Sequence, residues 1–131
     1  MENTLLLMKV IAAVHGVLGF IGGAIMTSPE SQARVYEYRN PLAYELHKYL
    51  TYCMCFCLVL CGFSPWLKPS ATPLWIWLSL GFHLLSGALE ISTQRGRVWC
   101  WRCIATGYAV KITAAITLTY LTSIYESASN G

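Results

Sequence analysis

The chain has 131 residues, 56% of them hydrophobic and only 11% charged, and nine Lys and Arg against six acidic residues leave a net charge of +3. Soluble domains usually carry about a quarter charged residues, so this composition excludes a soluble single-domain enzyme, a disordered chain and a nucleic-acid binder of the basic-patch kind. It points to a chain whose apolar surface faces lipid.

The apolar residues fall into four blocks, each long enough as a helix to cross a bilayer core of roughly 30 Å. Backbone amides and carbonyls cannot be left unpaired in lipid, and the alternating pattern of a small barrel is missing, so the blocks are predicted to be helices. The first, Leu5–Met26, contains Lys9 near its start, then His15 and the glycines Gly16, Gly19, Gly22 and Gly23. Such a small-residue face lets another helix approach closely, and Lys9 is close enough to the start to snorkel outward. The connection 27–48 is polar, with the run ESQARVYEYRN, and suggests a short interfacial helix.

In the second block, Tyr49–Leu67, Cys53, Cys57 and Cys61 recur every four residues along one face, and Cys55 lies on another. There cysteine acts as a small, soft apolar residue, because disulfide geometry is hard to meet within one helix. The third block is Leu74–Ser92. Its Ser79, His83, Ser86, Gly87 and Glu90 form a small and polar stripe at helical spacing, which is predicted to face protein rather than lipid. The fourth block, Cys103–Ile124, carries Lys111 and opens on Cys100-Trp-Arg-Cys103.

Trp66, Trp75, Trp77, Trp99 and Trp101 all fall near block ends, and Pro29, Pro41, Pro65, Pro69 and Pro73 fall in connections or at edges, as interfacial rings and helix-breaking residues should. The expected fold is therefore all-α: residues 1–131 form a single domain, a polytopic membrane protein with four transmembrane helices in an antiparallel bundle. Arg34, Arg39, Lys48, Arg95, Arg97 and Arg102 lie in the first and third connections. This bias puts loops 27–48 and 93–102 on the matrix or cytoplasmic side and both termini on the opposite side. The first apolar stretch is too long for a signal peptide and lacks a small-residue cleavage site, and no lipidation motif is evident at either end.

Ionisable groups inside a membrane are costly, so His15, His83, Glu90 and Lys111 are the candidate site residues. His15 and His83 lie about 15 Å and 13 Å from the same face by the helical rise, near the midplane on parallel helices. Glu90 and Lys111 are predicted to form an intramembrane ion pair, the lysine stem bridging the difference in depth. No metal site is expected from the cysteines and histidines, and the lack of any Asp leaves no Ser–His–Asp arrangement.

Each histidine is followed four residues later by glycine, in His15-Gly-Val-Leu-Gly19 and His83-Leu-Leu-Ser-Gly87, which leaves room for a flat porphyrin beside the backbone. Over these two short stretches the chain resembles the b-type cytochrome membrane-anchor subunits of succinate dehydrogenase. The resemblance implies His15 and His83 as axial ligands of a haem b; packing histidines and a quinone or lipid contact are the alternatives. Cys100-Trp-Arg-Cys103 is similar to the redox motif of the quinone-linked vitamin K epoxide reductase-like thiol oxidases. Those proteins need a second cysteine pair in a loop on the same side, and the 27–48 connection has none.

Three functions are consistent with these features. The first is an accessory or structural subunit of a larger membrane complex, of respiratory-chain or ATP-synthase type in the mitochondrial inner membrane, whose partners are other subunits and membrane lipids. The second is a b-haem or quinone-binding anchor in electron transfer. The third is a stand-alone protein that binds a lipid or sterol between its helices. A catalyst acting by itself is not expected, and bound lipid is.

Overall fold

The computed structural model describes residues 2–30, 41–93 and 101–130. Among them are four long helices: α1 over Glu2–Met26, α2 over Pro41–Leu67, α3 over Thr72–Thr93 and α4 over Trp101–Asn130. A single 3-10 turn, Pro69–Ala71, joins α2 to α3. All four expected helices are present, with shifted ends. α2 begins eight residues before the apolar block, because Pro41 suits a first helical position and the polar stretch after it has a face to bury, with Ala43 and Tyr44 inside. A short interfacial helix was expected between Thr27 and Lys48; residues 41–48 belong to α2, and residues 31–40 lie outside the described part.

Pro65 does not end α2, which continues to Leu67. A proline has no N–H for the carbonyl four residues back, here that of Cys61. The Ser64 hydroxyl donates to that carbonyl over 2.8 Å. Ser64 Oγ is also 2.8 Å from Thr72 Oγ1, so the hydroxyl that repairs the break also holds the start of α3.

α1, α2 and the segment Pro69–Ser92 are long and apolar enough to cross a membrane. The fourth expected span is not: α4 is 30 residues long but falls short in hydropathy. The deficit comes from Lys111 and from Thr106, Thr113, Thr117, Thr119 and Thr122.

Successive helices run antiparallel. α1 meets α2 where the backbones almost touch: a Cβ at Gly16 would lie 2.9 Å from Gly62 Cα, and one at Gly19 would lie 2.6 Å from the Cys55 carbonyl oxygen. At the same end the Lys9 ammonium sits 5.6 Å from the centre of the Trp66 ring. α3 returns along α2, and α4 lies against α1 and α3. The core draws Met8 and Ala12 from α1, Leu58 and Cys61 from α2, Ile76 from α3, and Ala114, Ala115 and Leu118 from α4.

Polar side chains share the inside with the apolar core, and the outside is large and apolar. Ser64, Thr72, Ser79, Ser86, His15 and Lys111 are buried, while Phe20, Phe56, Phe63, Leu67 and Leu85 are exposed. That polarity fits lipid outside and hydrogen bonding within. The cysteines divide differently from the one-face expectation. Cys55, Cys57 and Cys61 are buried and Cys53 is exposed, all as free thiols. Cys55 faces α1, its sulfur 3.1 Å from where a Cβ at Gly22 would stand.

Candidate ligand-binding site

Tyr108 and Lys111 are one helical turn apart on α4 and reach the same residue of α3. The Tyr108 hydroxyl donates to the His83 carbonyl over 2.9 Å. The two rings lie 4.2 Å apart between centroids, tilted by 32°. The hydroxyl occupies the place of a Cβ at Gly87, so glycine at that position is what admits the tyrosine. Lys111 Nζ is 3.0 Å from His83 Nδ1. An ammonium has donors only, so with Lys111 charged Nδ1 accepts and the ring proton is assigned to Nε2. Gly107 closes the underside, where a Cβ would approach His83 Cε1 to 3.2 Å.

His15, on α1, shares a cavity wall with Lys111. Its Nδ1 donates to the Ile11 carbonyl over 2.8 Å, which fixes the proton there and leaves Nε2 as an acceptor. That Nε2 is buried and has no hydrogen-bond partner among the described residues. The residue itself is 6% exposed. It lines a cavity of about 480 Å³ between α1 and α4 whose wall also includes Leu18, Leu58, Gly107 and Lys111. A second cavity of about 410 Å³, bounded by Ile11, Thr113, Ala114 and Thr117, shares His15 and Val110 with the first. Together they make a groove along α4, with His15 where the two meet and Lys111 in the wall of the first.

Of the four candidate ionisable residues, His83 and Lys111 are in contact, and His15 shares a cavity with Lys111. Glu90 lies two helical turns beyond His83, about 10 Å along α3. Lys111 is 8% exposed, and its polar contact among the described residues is the imidazole. The ion pair found among the described residues is Lys48 with Glu45, at 2.7 Å. Cys100 lies outside the described residues, as does the side chain of Cys103.

A second polar cluster joins α2 to α3. His47 Nδ1 is 3.0 Å and Thr51 Oγ1 3.1 Å from Ser86 Oγ. Nearer the middle, the Ser79 hydroxyl donates to the Met54 carbonyl over 3.1 Å. The stripe of α3 thus faces protein. His47 was not among the sequence candidates because it was placed in a loop. The signal that would have found it is Pro41, a helix start that puts His47 and Thr51 one turn apart on the same face.

The geometry tests the haem assignment. His15 has the form of a metal-binding histidine, with Nδ1 tied to a backbone carbonyl and Nε2 open. His83 does not fit the opposite axial position, because Lys111 holds Nδ1 as an acceptor and so leaves no lone pair on Nε2. No protein-family model, no curated protein and no solved structure matches the chain.

Proposed function

We propose that the chain is a four-pass integral membrane protein that holds a lipid-like ligand, an apolar molecule with a small polar head, between α1 and α4. The observation that carries this reading is His15 Nε2, a buried acceptor without a partner among the described residues, on a residue that lines one cavity with Lys111. Buried polar atoms are costly unless satisfied, and the remainder of that cavity wall is apolar apart from Thr106. The threonines of α4 support its inclusion as a fourth span. Thr113 and Thr119 donate their hydroxyls to the carbonyls of Ala109 and Ala115 over 2.8 and 2.7 Å, so the hydroxyls are satisfied within the helix rather than presented bare to lipid. The arginine and lysine bias supports an orientation with residues 27–48 and 93–102 on the cytoplasmic or matrix side. Purification in mild detergent followed by native mass spectrometry tests the reading: wild type is expected to carry a lipid-sized adduct that His15→Leu loses, and a bare wild-type protein refutes it.

A second reading, an accessory subunit of a larger complex in the inner mitochondrial membrane, is favoured by a different feature. An apolar groove of about 540 Å³ between α1 and α2, lined by Ala13, Val17, Phe20, Val59, Phe63 and Trp66, has the shape of a seat for another helix. Migration with a large assembly on a native gel supports that reading, and migration as a lone monomer removes it.

A further inference from the structure

We infer that the ligand of the α1–α4 groove is a single-chain carboxylic acid, its carboxyl group held between His15 Nε2 and Lys111 Nζ and its alkyl chain lying along α4 toward Thr117. The inference rests on the lipid-ligand reading above and names the head group.

Two unmet requirements sit on one cavity. Lys111 is a buried cation, and no carboxylate among the described residues pairs with it. Taking a charge out of water without a counter-ion is strongly unfavourable. His15 Nε2 is a buried lone pair that needs a donor. One carboxyl group meets both needs: its O–H donates to Nε2, and its carbonyl oxygen accepts from Lys111. Transfer of that same proton from the acid oxygen to Nε2 leaves a carboxylate facing two cations, with no atom gained or lost. The acid enters the apolar interior in its neutral form and acquires charge only where charge is matched.

Other head groups satisfy one requirement and leave the other. A quinone carbonyl accepts from Lys111 but offers nothing to His15. A sterol or alcohol hydroxyl can bridge both atoms but leaves the ammonium without a counter-charge. A phosphodiester head is large and strongly hydrated, while His15 is thirteen residues into α1, about 20 Å from its first residue by the helical rise.

The groove suits one acyl chain. From Lys111 it follows α4 to Thr117, about 9 Å of helix, past Ala114. The Thr113 hydroxyl is turned to its own helix, so the wall is apolar in effect.

The test uses the full chain in detergent, with oleic acid and oleyl alcohol as probes, and reads equilibrium binding and the probe-induced rise in melting temperature. Wild type is expected to bind oleate at least tenfold more tightly than oleyl alcohol and to melt higher in its presence. Lys111→Met, which removes a buried charge at similar volume, is expected to melt no lower than wild type without probe and to lose the preference for oleate. Lys111→Gln serves the same purpose if the methionine variant does not fold. Equal binding of the two probes, unchanged by either substitution, overturns the carboxylate inference and leaves the lipid-ligand reading standing. Failure of folded wild type to bind either probe overturns both.

Discussion

Gly19→Ala probes the tightest contact in the bundle. The added methyl carbon would lie 2.6 Å from both the Cys55 carbonyl oxygen and Leu58 Cβ. Two carbon atoms rest at about 3.5 Å or more, so α1 and α2 must part locally by about 0.9 Å. Neither obstacle can swing aside, since one is backbone and the other is fixed to it. Overpacking of this kind costs about 1–3 kcal/mol, and the gain from alanine over glycine in a helix returns at most about 1 kcal/mol. With the full offset, the net loss against wild type is about 0–2 kcal/mol, a fall in melting temperature of up to roughly 8 °C. Gly81→Ala is the control, because nothing lies within 4 Å of its Cβ, and Gly23→Ala is a second, with Cys55 Cβ at 3.9 Å. Both keep the propensity gain without the clash and are expected to melt at or above wild type. The buried thiols of Cys55, Cys57 and Cys61 supply the assay, since a thiol-reactive fluorophore reports their exposure as detergent-solubilised protein unfolds. Equal melting of Gly19→Ala and Gly81→Ala refutes the backbone contact between α1 and α2.

Three further substitutions test the hydrogen bonds that join the helices. Ser64→Ala removes the donor that replaces the missing amide of Pro65 and is expected to cost about 1–2 kcal/mol. Adding Pro65→Ala restores an N–H for the Cys61 carbonyl, so the double variant should recover part of the loss; a strictly additive double-mutant cycle counts against the repair. Ser86→Ala leaves His47 and Thr51 without the hydroxyl they share and should destabilise by about 0.6–1.7 kcal/mol, the range for interhelical hydrogen bonds in membranes. Thermal melting beside Ser92→Ala, a serine whose bond among the described residues is to its own helix at Leu89, checks it, and equal effects refute the contact. Tyr108→Phe keeps the ring against His83 but removes the donor to its carbonyl, so a loss of about 0.6 kcal/mol is expected; a loss as large as that of Tyr108→Ala would mean that the hydroxyl and not the ring holds α4 to α3.

Block length and hydropathy made the four helices legible from the sequence, because both are local quantities. Helix ends were less legible. Pro41 and Pro65 read as boundaries, yet one starts a helix earlier than the apolar block and the other lies inside a helix whose lost hydrogen bond Ser64 supplies. The polar stripe of α3 was readable from spacing alone, but its partners were not. Lys111 is close in depth to both His83 and Glu90, and rise per residue cannot choose between them. Rotation of α4 about its axis decides, and that is set by Tyr108 entering at Gly87. His15 illustrates the same limit: its depth in α1 can be read from spacing, whereas its unpaired Nε2 depends on how α1 packs against its neighbours.

The distribution of satisfied groups singles out that nitrogen. In lipid the exterior offers no hydrogen bonds, so polar side chains must find partners inside the bundle or on their own helix. Ser64, Ser79, Ser86 and Tyr108 do so across helices, and Thr113 and Thr119 do so along α4. Two buried side-chain atoms among the described residues lack a partner, His15 Nε2 and Thr122 Oγ1. A threonine hydroxyl on a helix rotates about one bond and can reach a carbonyl in its own preceding turn. The imidazole has no equivalent escape, because Nδ1 is already committed to Ile11 and a ring flip would only exchange one unpaired nitrogen for the other. No described side chain supplies the donor, and Lys111, which lines the same cavity as His15, offers the cation that a bound acid's own acceptor atom would need.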